Sequence, residues 1–127
     1  MKDRPQPAIG TDDRDLRQRT KEFAIRIIRM YSSLPKSTEA QVLGKQVLRS
    51  GTSVGANYRE ACRARSKAEF VAKLGDVLKE LDESLYWFEL MAETHISVPA
   101  VLCPLQSECN ELLAIFTTIA KKCKNST

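Results

Sequence analysis

The chain is short of the residues that build sheets, loops and metal sites. Among its 127 residues only five are glycine and five proline, aromatics make up 6%, and His95 is the one histidine. No stretch alternates apolar and polar residues long enough to make a strand. No run of about 18 apolar residues occurs, so no membrane-spanning helix is expected. The opening "MKDRPQPAIGTDDRD" lacks the apolar core of a secretory signal and reads as a disordered tail over residues 1–12. The cysteines at 62, 103, 109 and 123 contain no C-x-x-C pair, and none is close to His95 in sequence. Neither a zinc site nor a Glu-x-x-His di-iron site is supplied, so no metal and no cofactor are expected. Cys62, Cys109 and Cys123 fall on or near apolar stripes, as reduced thiols packed like small hydrophobes do. That usage points to the cytoplasm.

What is present is helical periodicity. Leu16, Thr20, Phe23, Ile27, Met30 (or Tyr31) and Leu34 recur every three or four residues, predicting a first helix from Asp13 to Leu34 that Pro35 ends. A second helix begins at Thr38, where Thr38 and Gln41 fit a capping box. Ala40, Leu43, Val47, Gly51, Val54, Tyr58 and Ala61 form its stripe. Ser66 and Glu69 fit a second box, which predicts a turn near 64–66 and a third helix with Phe70, Leu74, Val77 or Leu78, Leu81, Leu85, Phe88 and Ala92 inward. Without that turn, residues 38–94 would read as one long helix. Pro99 and Pro104 mark "THISVPAVLCP" as a connector or short distorted helix. The fourth helix is expected from Pro104 to Lys122, with Leu105, Cys109, Leu112, Phe116, Ile119 and Cys123 inward. The fold class that follows is all-α: an antiparallel up-down-up-down four-helix bundle over residues 13–124, followed by a tail at 125–127.

Two features resemble catalytic motifs and read better as structure. Gly51 and Gly55 in "RSGTSVGANYREACRAR" suggest a phosphate loop. However, the only Gly-Lys pair, Gly44-Lys45, is followed by Gln and lacks the spacing of a nucleotide loop. Close helix packing explains Gly44, Gly51 and Gly55 better, although each costs about 1 kcal/mol in helix propensity. Ser53, Asn57 and Glu60 lie with Gln46 and Arg49 on a polar ridge beside the apolar stripe, placed to hydrogen-bond to another helix or subunit. Ser53 has no evident base, and no nucleophile–base pair stands out. The expected protein is therefore not an enzyme.

Charge carries the functional lead. Residues 14–67 hold 13 Lys/Arg against 4 Asp/Glu, whereas residues 68–95 hold 2 against 7. Lys45, Arg49, Arg59 and Arg63 share an arc of about 80° on the second helix, away from its apolar seam. Arg65 and Lys67 extend it into the turn, and the first helix adds Arg26 and Arg29 among other cations. Such a face suits phosphates, with salt-sensitive and sequence-independent affinity. The competing reading is a protein-interaction scaffold with no nucleic-acid role, its arginines consumed by Glu69, Asp76, Glu80 and Glu83. Trp87 and Leu90 point away from the third helix's seam and are the candidate anchors of a subunit interface.

One family resemblance runs from about Phe23 to Lys122. Ser53, Asn57, Glu60, Arg63, Arg65, Ser66, Lys67, Glu69 and Phe70 stand in the register of the four-helix-bundle family of 23S rRNA intervening-sequence proteins. Glu80, Leu81 and the stretch "SECNELLAIF" add to the likeness. Val54-Gly55 and Ala61 depart from the Ile-Pro and Gly that the family often has, which favours a smoother helix here. The resemblance implies a ring-like homo-oligomer, often a pentamer. Similar bundles accompany the reverse transcriptases of diversity-generating retroelements, where a basic barrel binds nucleic acid and polymerase. The partners so implied are other copies of the chain, RNA, or a ribonucleoprotein or reverse-transcriptase complex. No catalytic residues are established for the family, so none carry over.

Overall fold

A computed structural model describes residues 13–126. The expected tail at 1–12 lies outside the described residues, as does Thr127. Four helices account for nearly all of the described chain, with no strand among those residues: α1 (Asp13–Ser32), α2 (Thr38–Cys62), α3 (Lys67–Glu93) and α4 (Pro99–Asn125).

The inward stripe of α1 is the one its spacing predicts, with Leu16, Thr20, Phe23, Ile27 and Met30 all buried; the helix ends at Ser32, two residues short of the expected Leu34, which is buried just beyond it. The turn between α2 and α3 is also where the sequence puts it. Ser66 Oγ accepts the Glu69 N–H at 3.1 Å, and the Glu69 carboxylate reaches back to the Arg65 N–H at 2.9 Å. The first bond is the N-cap half of a capping box; the second falls one residue early, since the carboxylate takes the N–H of Arg65 rather than that of the N-cap Ser66. At α2 the cap differs from expectation. Ser37, not Thr38, accepts the Ala40 N–H at 3.3 Å. Gln41 instead bridges outward, donating to the Pro35 carbonyl at 2.8 Å and accepting from the Tyr31 hydroxyl at 3.1 Å.

The largest departure is in α4. The helix begins five residues before the expected Pro104, with Pro99 in its first turn and Pro104 inside it. Proline suits a first turn, where the missing N–H has no helical partner in any case. Pro104 lies further in, so the Ala100 carbonyl loses its usual donor. Both residues are exposed, so water can serve that carbonyl. The end of α3 makes this early start possible. His95 has φ 59° and is the one non-glycine residue with positive φ among those described. The His95 N–H bonds to the Ala92 carbonyl at 3.2 Å, and the Ile96 N–H to the Met91 carbonyl at 3.0 Å. That is a Schellman motif with histidine in the left-handed position. Ile96 then packs against the core and turns the chain into α4.

Neighbours in sequence are neighbours in space, and α1 meets α4 to close the ring of four. Leu34, just past the end of α1, faces position 44 of α2, while within α1 position 27 faces 51 and 20 faces 55. Glu60 of α2 pairs with Lys73 of α3, and Ser50 with Ser84. Arg19 of α1 meets Glu108 of α4, while Met30 and Leu105 share a wall further along. In each pair one number rises as the other falls, so the partners run in opposite directions. The rings of Tyr58 and Phe116 meet at 5.2 Å within the core.

The inward set of α3 differs from expectation at two positions. Ser84 and Met91 are buried, whereas Leu85 and Ala92 are only partly so. Ser84 escapes a hydrophobicity criterion because its hydroxyl is satisfied in place, sharing a 2.8 Å bond with Ser50 and donating to the Glu80 carbonyl at 2.9 Å. A buried hydroxyl with both partners costs little.

Candidate nucleic-acid interface

The interface starts with glycine. A β-carbon at Gly51 would stand 2.2 Å from Ile27 Cδ1, and one at Gly44 2.6 Å from Leu34 Cδ1. At Gly55 it would stand 3.1 Å from Thr20 Oγ1. Their absence lets α1 lie close against α2. The outer rim of this close contact is a shallow groove of about 380 Å³, floored by small residues including Ala24, Thr52 and Ala56. Lys21 and Arg59 line it from opposite helices. Neither makes an ion pair among the described residues.

A second concavity, of about 370 Å³, lies on the other side of α1, against the start of α4. Arg26 and Arg29 line it together with Met30, Val101, Pro104 and Leu105. These two arginines also lack an ion pair among the described residues. So α1 is a basic ridge with a depression along each flank.

The α2–α3 side behaves differently. Arg49 pairs with Glu80 at 3.3 Å and also with Glu83. The hydrogen bond to Glu83, with the charges of both carboxylates, holds its pKa above the ordinary arginine value. Glu60 and Lys73 meet at 2.8 Å, and that bond lowers the carboxyl pKa and raises the ammonium pKa. Arg49 is therefore neutralised within its own chain. Of the sequence-derived arc, Lys45, Arg59 and Arg63 are exposed without an ion-pair contact among the described residues, although the Arg63 charge still acts on Glu60. Arg63 forms the cap of α2, and Arg65 lies in the turn. The Lys67 ammonium donates to the Ser126 carbonyl, tying the start of α3 to the end of α4.

The polar ridge divides in the same way. Ser53 Oγ donates to the Arg49 carbonyl of its own helix at 2.7 Å, so it crosses to no neighbour. Glu60 does cross, to Lys73. Asn57 is half-buried. The buried hydroxyl contact between helices is Ser50–Ser84, which the sequence reading missed. Trp87 is not set out in solvent as periodicity suggests. It is half-buried against the core, and its indole N–H is buried without an acceptor among the described residues. Its neighbour Tyr86 is the exposed aromatic, with the two rings 5.2 Å apart. Leu90 is half-exposed beyond them.

Sequence distance also concealed one proximity. His95 and Cys103 line the same small cavity of about 150 Å³ at the α3–α4 turn. No disulfide joins any of the four cysteines. No group of three or more metal-ligating side chains forms among the described residues. No described helix is long and apolar enough to cross a membrane.

Comparison with known proteins follows the same outline. The family model described as "23S rRNA-intervening sequence protein" matches residues 12–118. The chain is similar to a crystal structure from Bacteroides thetaiotaomicron, a protein of unknown function from the S23 ribosomal protein family. The two are 38% identical, the match covers 84% of this chain and 98% of that one, and the TM-score is 0.78. No curated protein matches.

Proposed function

Because the chain belongs to the 23S rRNA-intervening sequence protein family, we propose that it is a non-enzymatic, cytoplasmic, oligomeric bundle that binds RNA through the basic ridge of α1 and the adjoining edge of α2. The supporting observation is the set of four cations, Lys21, Arg26, Arg29 and Arg59, that line two concavities and have no carboxylate partner among the described residues. Unneutralised guanidinium and ammonium groups attract phosphates, and each contact releases counterions. A ribonucleoprotein or reverse transcriptase would reach the same face through its RNA.

Fluorescence anisotropy of the full chain with a structured RNA at 50 and 200 mM salt tests this reading. Binding at low salt that weakens at least tenfold at high salt is expected. Lys21→Ala/Arg59→Ala should weaken binding and flatten the salt dependence. Arg49→Ala should leave affinity within about twofold, because Glu80 and Glu83 already consume its charge. No binding at 50 mM salt would sink the proposal.

The scaffold reading draws support from Arg49 with Glu80 and Glu83, the kind of intrachain pair it requires; Glu60–Lys73 ties the same two helices without consuming a cation of the arc. It applies to the α2–α3 side and leaves the α1 ridge unexplained. Self-assembly is part of the proposal, as a ring-like homo-oligomer of the pentameric kind, with Tyr86, Trp87 and Leu90 offering an apolar contact on α3. Light scattering at micromolar concentration checks it, and a monomeric mass would refute it.

A further inference from the structure

The concavity between α1 and α4 combines two chemistries that one ligand must satisfy together. Its floor is apolar, made by Met30 and Leu105, with Val101 and Pro104 at the rim. Its cations are Arg26 and Arg29, three residues apart and so neighbours on the helix surface. No carboxylate lines it. The volume of about 370 Å³ lies within the range of small-ligand sites. Inorganic phosphate would leave the apolar floor wet. A neutral apolar ligand would leave two guanidinium groups unused beside it. A nucleotide uses both, since its base has apolar faces and its phosphate is an anion.

We infer that this concavity seats one unpaired RNA nucleotide, with the base against Met30, Val101, Pro104 and Leu105 and the phosphate on Arg26 and Arg29. The inference rests on the RNA reading given above and adds the form of RNA that is read. In an A-form duplex the bases are stacked and their faces are covered. An unpaired nucleotide can turn its base out onto a protein surface, where guanidinium planes also stack on it. The protein then prefers single strands, loops or bulges over continuous duplex. The Lys21–Arg59 groove on the other flank of α1 serves the backbone regardless of pairing.

The test is anisotropy at 50 mM salt with three labelled RNAs: a 12-nucleotide single strand, the same strand with abasic sites throughout, and a blunt duplex. The proteins are wild type, Arg26→Ala/Arg29→Ala, Ala100→Phe and Lys21→Ala/Arg59→Ala, each confirmed folded by circular dichroism. Ala100 is an exposed rim residue, so phenylalanine there fills the concavity from outside without entering the core. Wild type should bind the normal strand at least tenfold more tightly than the abasic strand or the duplex. Ala100→Phe should erase that difference while leaving abasic binding unchanged. Arg26→Ala/Arg29→Ala should weaken the normal strand most.

Equal wild-type affinity for all three RNAs would overturn the base seat. So would a tenfold preference that survives Ala100→Phe. In either case, if Lys21→Ala/Arg59→Ala still removes binding, RNA recognition stands and only the seat falls. If wild type binds none of the three, both readings fall together.

Discussion

His95 carries a side chain in a conformation that glycine adopts freely. With φ 59°, it pays the left-handed steric penalty so that the Schellman bonds to Ala92 and Met91 can form. His95→Gly should therefore stabilise the protein by about 0.5–1 kcal/mol, net of glycine's greater unfolded-state entropy. A raised urea midpoint with unchanged slope checks this. The helical glycines make opposite predictions from the same residue type. Gly75 faces open space, so Gly75→Ala should gain about 1 kcal/mol of helix propensity. Gly51→Ala would push a methyl group into fully buried Ile27, and overpacking of about 1–3 kcal/mol outweighs that gain. It should lower the melting temperature, and Ile27→Val in the same chain should recover part of the loss. Burial pushes the Cys109 thiol up to about 12, while an unfolded cysteine titrates near 8.5. Between those values the unfolded chain has released a proton that the native chain keeps. Stability therefore falls as pH rises through that window, and Cys109 contributes no pH dependence below it. Urea midpoints at pH 8 and pH 10 should fall less in Cys109→Ala than in wild type. A thiol reagent at pH 8 should modify exposed Cys103 first and reach Cys62 and Cys109 only on unfolding.

Among the elements, α1, α2 and α3 were legible because each announces itself locally. Phe23, Ile27 and Met30 keep one period, and Ser66 with Glu69 writes its own stop and start. The start of α4 was not legible, because two prolines within six residues carry the same local signal whether they break a helix or open one. The Schellman turn at His95 and the packing of Ile96 against the core decide between these outcomes, and both depend on tertiary structure. Pro104 remains a cost within α4. Pro104→Ala restores a donor for the Ala100 carbonyl and should stabilise the helix, by up to about 3 kcal/mol if none of the strain has relaxed. Denaturation of the single variant measures it. The cap of α2 was misplaced by one residue because Ser37 and Thr38 are both competent N-caps. The choice depends on Gln41, which is occupied by Pro35 and Tyr31 rather than by the helix start.

For the whole molecule, the sequence conveys a basic first half and an acidic α3 but not which charges meet. That depends on the register between helices, a property of no single segment. Arg49 ranks with Arg59 on the arc, yet only Arg49 stands opposite Glu80 and Glu83. The basic face can be read from the sequence but the pair of concavities cannot, since α4 supplies half of one and Pro99 and Pro104 give its early turns the local signal of a connector. The ring of helices is also uneven. α1 meets α2 over its length through glycine, but meets α4 far more sparsely. There Arg19 bonds Glu108 through two contacts, at 2.7 and 3.1 Å, and Glu111 at 3.2 Å. Arg19→Met should cost about 1 kcal/mol, a modest value for a partly exposed pair, and should speed hydrogen exchange in α1 and the first turns of α4 before it does so in α2.

The shape of that seam makes the bundle's softness directional. Salt that screens ionic contacts acts first along one edge of α1, while the glycine-packed edge holds like a spine. Local opening is therefore expected to turn about one fixed side, as a door does, with the leaf that swings carrying Arg26 and Arg29.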